Sequence, residues 1–197
     1  MPNDATAQPA ALLQTRALTK EFRGFRALSD VSLSVAEGTV HALVGPRGAG
    51  KSTVLNLLTG FLAPTSGRIL FRGEDIAGWQ PEQIARLGIA RPLRITSLVD
   101  QLGVVEHIEL ALARDPRLLL LDEPTAGMGR EDVDRMITLV SQAAVGRAVV
   151  LVDHNMRVVR SLADTVTVLQ AGRVLAEGSY DQVRHDERVI AAYLGQG

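Results

Sequence analysis

Residues 12–22 (LLQTRALTKEF) and 27–38 (ALSDVSLSVAEG) alternate apolar and polar side chains at roughly every second position. Successive side chains of a strand point to opposite faces, so this period predicts antiparallel strands with one face open to water. Three other stretches, TVHALVG, RLLLLDE and RAVVLVDH, are apolar almost without interruption and predict strands buried on both faces. KSTVLNLLTGFL (residues 51–62) and EDVDRMITLVSQAAV carry apolar residues at helical spacing, the second with acids in its first turn. GRILFRG predicts another strand. PEQIARLG opens on Pro81 and closes on Gly88, which are helix start and stop signals. Near the end, ADTVTVLQAGRVLAEG predicts a hairpin turning at Ala171-Gly172, and DQVRHDERVIAAYL predicts a helix. Buried strands alternating with helices imply a parallel α/β sheet, and the alternating strands at either end imply an antiparallel flank. Leu98, Leu102, Val105, Ile108 and Leu112 share one helical face, so a single helix is expected over about residues 97–113. Gly103 inside that helix would cost about 1 kcal/mol relative to Ala.

The 197 residues suit one domain with a sizeable core. Aromatics make up only 4 %, so the core must rest on Leu, Val, Ile and Ala. A formal net charge of -1 gives no electrostatic reason to expect nucleic acid as a partner. The absence of cysteine excludes disulfides and cysteine-based zinc sites. MPNDATAQPA lacks a basic start followed by an apolar run, so residues 1–10 read as a disordered tail rather than a secretory leader. No stretch approaches the ~18 apolar residues of a membrane span. A soluble, cytoplasmic protein is expected, with any membrane link made through a partner.

LVGPRGAGKST contains the spacing G-x-x-x-x-G-K-S from Gly45 to Ser52, between a predicted buried strand and a predicted helix. Glycines let backbone N–H groups converge on phosphate oxygens, and the helix presents its positive N-terminal end. Lys51 is placed to reach the β- and γ-phosphates, Ser52 to ligate Mg²⁺, and Thr53 to touch the α-phosphate. LLLLDEP ends a strand in Asp122, beside the place of a phosphate-bound Mg²⁺, and in Glu123, which could orient or deprotonate an attacking water. Alone, an acidic strand end could simply cap the next segment; the phosphate loop makes the catalytic reading the stronger one. VLVDHN puts His154 at the end of a third strand, at the same edge, within reach of a γ-phosphate.

Together these residues resemble the ATP-binding subunits of ABC transporters. HALVGPRGAGKSTVLNLLTGFLAPTSGRILF is similar to their Walker A segment, DPRLLLLDEPTAGM to their Walker B and D-loop segment, and VDHNM to their H-loop. QIARLGIAR and LLTGF are most similar to the branched-chain (hydrophobic) amino acid importers. The resemblance implies a P-loop NTPase (RecA-like) α/β core with an antiparallel β-flank and a helical subdomain. It implies that Phe22 stacks on adenine, although by its own sequence context Phe22 is equally a core or edge residue. Gly45, Pro46, Arg47, Gly48, Ala49, Gly50, Lys51, Ser52 and Thr53 would hold the phosphates of ATP. Ser52 and Asp122 would serve Mg²⁺, Glu123 would be the catalytic base, and His154 would steady the γ-phosphate. The implied partners are transmembrane permease subunits and a second ATP-binding subunit, with the protein peripheral at the inner face of the membrane.

The chain departs from that family in two places. No L-S-G-G-Q-like signature occurs in it, and Lys51 and Asp122 stand only 71 positions apart (122 − 51). That interval is several tens of residues shorter than the resemblance implies. The helical subdomain is therefore expected to be largely missing from a single domain over residues 11–197, shortened between about 97 and 113, with the join between Val104 and Glu109. Second, ARPLRIT has Arg94 where the family has Gln, and Pro92 stiffens the same loop. A guanidinium has no acceptor atom and cannot ligate Mg²⁺. Two classes of function follow. One is an ATPase subunit that powers uptake of branched-chain or related amino acids. The other is a degenerate or regulatory module that binds ATP without hydrolysing it alone. A small-molecule kinase would suit the short interval, but LLLLDEPTAGM followed by VDHNM fits it less well.

Overall fold

The computed structural model describes residues 11–92 and 103–194. The chain opens with β1 (Ala11–Phe22) and β2 (Phe25–Ala36), and runs through β3 (Val40–Val44) into α1 (Lys51–Leu58). Then come β4 (Ser66–Phe71), the short β5 (Glu74–Asp75), α2 (Pro81–Arg86) and the short β6 (Ile89–Ala90). The second part holds α3 (Val104–Leu112), β7 (Leu118–Asp122), α4 (Arg130–Ala143), β8 (Ala148–Val152) and α5 (Met156–Leu162). It closes with β9 (Thr165–Gln170), β10 (Arg173–Gly178), α6 (Tyr180–Arg184) and α7 (Glu187–Leu194).

The uninterrupted apolar runs lie at the centre of a six-stranded sheet of order β10-β9-β3-β8-β7-β6. All of its pairings are parallel except the β9–β10 hairpin. A strand buried on both faces must be apolar on both, and Leu118, Leu119, Leu120 and Leu121 are each at most 2 % exposed. Burying each such side chain is worth about 1.5–3 kcal/mol. The early alternating strands form a separate antiparallel sheet, β2-β1-β4-β5, with Val31, Leu33 and Val35 of β2 turned inward. That sheet and α1 cover one face of the main sheet, bringing Leu13, Leu28 and Leu55 onto Leu43, Leu120 and Val150. On the other face, Ile108 of α3 and Val133, Met136 and Val140 of α4 pack on Leu119, Leu121 and Leu151. The C-terminal helices add Val183 and Val189 against Val44, Val166 and Val168.

The late hairpin turns at Ala171-Gly172 as expected, but it does not join the antiparallel flank. β9 runs parallel beside β3, because four of its residues, Val166 to Leu169, are buried on both faces. Of the helix expected over 97–113, the part from Val104 to Leu112 is observed as α3, and residues 97–102 lie outside the described residues. Gly103 precedes α3 as an extended N-cap (φ −72°, ψ 174°), so no glycine sits in the helix interior. Ile108 carries the buried face. Leu98 and Leu102, like the proposed tail at 1–10, lie outside the described residues. α1 stops earlier than the pattern suggests. Gly60 takes φ 75°, where any added Cβ would stand 2.4 Å from the Trp79 carbonyl oxygen. The predicted C-terminal helix breaks in two at His185-Asp186. There the Asp186 carboxylate accepts the Arg188 N–H at 2.9 Å and the Arg188 guanidinium, which lowers its pKa to about 2. This fastens the start of α7.

Candidate functional site

β3 delivers the chain into the glycine-rich loop at Gly45. Its φ is 147°, and a Cβ there would lie 2.1 Å from the Leu169 carbonyl oxygen, so only glycine fits beside β9. The hairpin turn braces the loop from behind. Gly172 N–H donates to Ala49 O at 3.0 Å, and Ser29 N–H of β2 donates to Gly172 O at 2.8 Å. The loop is therefore tied to both sheets. α1 starts after Gly50 without a side-chain cap, so the N–H groups of its first turn are open to an anion. Lys51 is buried at 7 % exposure, with Nζ donating to the carbonyls of Gly45 (2.6 Å) and Pro46 (2.9 Å). Burial pushes its pKa down, while the negative charges of Glu123 and Asp122 push it back up.

The opposite wall is built at the ends of β7 and β8. Glu123 follows Asp122 with φ 48°, while its N–H still donates to Val152 O at 2.7 Å. A left-handed glutamate costs about 1 kcal/mol or more, and here the turn puts its side chain into the cleft. His154 Nε2 lies 2.7 Å from Glu123 Oε1 and donates to it when that carboxylate is ionised. The loop presenting His154 is fixed by buried Asp153. Its carboxylate accepts the Thr125 hydroxyl at 2.7 Å and the Asn155 N–H at 2.8 Å.

Phe22, Gly45 to Thr53, Glu123 and His154 thus line one cleft of about 730 Å³. Of the residues expected at the site, Asp122 alone stands just behind that wall. Its Oδ2 accepts from Arg91 at 2.7 Å, and Arg91 also donates to Asn56 Oδ1 of α1 at 2.7 Å. Arg94, the expected odd cation of this loop, lies outside the described residues; Arg91 is the one in contact. The clamp ties α1, β6 and β7 at the point where the phosphate loop meets the acidic strand end. Arg91 is 9 % exposed at its side chain and Asp122 28 %. Removing one partner of a largely buried pair leaves the other charge uncompensated. Allowing for the water that reaches Asp122, Arg91→Met is expected to cost about 2 kcal/mol of stability. Urea denaturation checks this, and an unchanged midpoint would refute it.

Three more residues at the cleft escape sequence reasoning. Phe25 pairs with Phe22 across the Arg23-Gly24 turn, and both rings line the cleft, with Lys20 Nζ 5.0 Å from the Phe22 ring centre. An aromatic on either side of a two-residue turn was the available signal. Tyr193 reaches the cleft from α7, and Ala27 from β2; nothing local marks either. The cleft joins an aromatic end to an end with open N–H groups, a buried cation and a carboxylate–imidazole pair. It suits an aromatic group carrying phosphates, and a carboxylate held by imidazole can take a proton from water. Among the described residues no three His, Asp or Glu side chains cluster as a metal site. The Ser52 hydroxyl and Asp122 Oδ1 suit a hard cation that takes its other ligands from phosphate and water.

A family model described as ABC transporter matches residues 28–107, and one described as branched-chain amino acid ATP-binding cassette transporter matches residues 173–197. The high-affinity branched-chain amino acid transport ATP-binding protein BraF of Pseudomonas aeruginosa is 29 % identical over 250 positions, covering 94 % of this chain and 98 % of its own. The corresponding protein LivG of Escherichia coli K12 is 27 % identical with the same coverage. Those 250 positions exceed the chain's 197 residues, so the extra length of both relatives falls opposite gaps within it. Among solved structures, a nucleotide-free ATP-binding cassette from an ABC transporter superposes with a TM-score of 0.88 at 24 % identity, covering 94 % of this chain and all of that one. The ADP conformation of an ATP-binding cassette gives 0.87 at 24 %.

Proposed function

We propose that the chain belongs to the ABC transporter family and is the ATP-binding subunit of an importer, hydrolysing MgATP to power uptake of branched-chain or related amino acids. The observation that carries this reading is the single cleft, in which the phosphate loop faces the hydrogen-bonded Glu123–His154 pair. Phe22 stacks on adenine. Gly45, Pro46, Arg47, Gly48, Ala49 and Gly50 wrap the phosphates with Lys51 and Thr53, and Mg²⁺ sits between Ser52 and the Asp122 carboxylate. Glu123 takes a proton from the attacking water, and His154 holds the γ-phosphate and the Glu123 carboxylate. The chain works as one domain over residues 11–197, shortened near 97–113, on the cytoplasmic side of the membrane. No helix among the described residues is long and apolar enough to cross a membrane. In this reading, contact with the membrane runs through permease subunits. The names of the relatives support the choice of solute.

One sequence feature favours a second reading, in which the chain binds ATP without hydrolysing it alone. It contains no signature string to donate to a partner's ATP. In a hetero-pair the partner's signature would complete this chain's site, while this chain would offer none in return.

Steady-state MgATP hydrolysis by the folded chain, alone and with its permease and second ATP-binding subunit, separates the two. Turnover by the chain alone supports a complete site. Turnover only in the assembly supports the paired reading. Absence of turnover in both would overturn hydrolysis by this chain.

A further inference from the structure

Among the described residues, Tyr193 is the one side chain that the C-terminal helix contributes to the cleft. Its position is not incidental to the packing. Val189 and Ala192 of α7 are 6 % and 5 % exposed, and Val189 packs with Val183 of α6 against β3 and β9, so the helix is docked through its own apolar face. Asp186 fastens its first turn through the Arg188 N–H. The ring of Tyr193 stands between two cavities. One side faces the phosphate-loop cleft; the other closes an apolar cavity of about 310 Å³ lined by Val44, Met156 and Val168. Burial holds the Tyr193 pKa above the ordinary tyrosine value, with the Gly45 N–H opposing that rise. The group therefore keeps its proton at neutral pH and remains a donor.

Val44 and Met156, which line the apolar cavity with Tyr193, adjoin Gly45 of the phosphate loop and the segment of His154, so Tyr193 stands at the Gly45–His154 end of the cleft. The Gly45 and Pro46 carbonyls hold Lys51 Nζ, and Lys51 feels the charges of Glu123 and Asp122. The same end therefore holds Lys51 and Glu123. The aromatic pair Phe22 and Phe25 comes instead from the β1–β2 hairpin.

We propose that Tyr193 donates a hydrogen bond from the chain's own C-terminal helix to the terminal phosphate of a bound nucleoside triphosphate, so that docking of α7 and triphosphate binding are linked. The inference rests on the nucleotide-binding reading of the cleft and gives the segment 173–197 a part in it. It supplies a donor in cis to a chain whose sequence has no signature segment. A diphosphate, lacking the terminal group, gains little from this donor, so Tyr193 favours the triphosphate.

Titration calorimetry of the full chain with ATPγS and with ADP tests this on the wild type and on Tyr193→Phe. Phe keeps the ring in the apolar cavity and removes only the hydroxyl. The loss of one hydrogen bond to a charged acceptor is expected to weaken ATPγS about tenfold and ADP less than about twofold. Equal weakening of both ligands, or of neither, would overturn the proposal while leaving the phosphate loop's role intact. Failure of the wild type to bind either nucleotide would overturn the nucleotide reading itself. Hydrogen exchange on the wild type needs no variant. Amides of residues 187–194 are expected to slow with ATPγS and not with ADP; equal protection by both counts against the link.

Discussion

Glu123→Gln is expected to lower MgATP turnover by at least about a hundredfold, with ATP affinity changed by less than about threefold. The substitution keeps the shape of the side chain and its hydrogen bond to His154, now at 2.7 Å from Oε1 to Nε2, while removing the capacity to accept a proton. Nothing else at the wall needs to move, because the left-handed backbone at Glu123 is set by its N–H to Val152 O and not by its charge. A base positioned for one proton contributes through the transition state, so the loss falls on kcat and not on binding. The measurement is steady-state hydrolysis in whichever assembly turns over, beside a binding titration. Turnover within about threefold of wild type would remove Glu123 from the role of base and leave it as a positioning partner of His154.

Lys51→Ala is expected to weaken ATP binding by about a hundredfold or more, on the scale of losing one preorganised charged donor from a water-poor site. Lys51 is held in place before any ligand arrives, by two carbonyls of the loop it must serve, and it pays part of its desolvation in folding. The fold should tolerate the change. The removed ammonium is the group whose burial is costly, and α1 keeps Val54, Leu55, Leu57 and Leu58 in the core. Burial is the largest influence on its pKa and acts downward. The charged form that attracts phosphate is therefore lost, as pH rises, earlier than for an exposed lysine, and affinity should fall accordingly in alkaline buffer. Calorimetric titration across pH reads both effects. Affinity unchanged in the variant would show that backbone N–H groups alone hold the phosphates.

The two variants probe residues that sequence could nominate, and their neighbours show where nomination stops. G-x-x-x-x-G-K-S, the acidic strand end and the histidine of VDHN are local signals, each carried by a few adjacent residues. Strand ends in a parallel sheet gather at one edge, so their convergence on one cleft follows from the alternation of buried strands and helices. The clamp of Arg91 on Asp122 and Asn56 has no such signal. Its three members are 31 and 35 positions apart, and their meeting depends on how α1 sits over the short β6. Tyr193 reaches the phosphate-loop cleft from the far end of the chain, through a helix whose docking depends on Val183 and Val189.

What the sequence determined by itself was every feature with a short period or a fixed spacing: the buried strands, the phosphate loop and the hairpin turn at Ala171-Gly172. These follow from chain stereochemistry and burial within a few residues. Alternation at period two announced strands β9 and β10, but it could not say which sheet they join, since a strand's pattern records burial and not the neighbour that supplies it. Only the tertiary structure decided that β9 lies beside β3, that its turn braces the phosphate loop through Gly172, and that Glu123 takes a left-handed backbone toward His154. Each of these depends on atoms brought together from distant parts of the chain, and close packing in three dimensions is what selects among pairings that the linear pattern leaves equal.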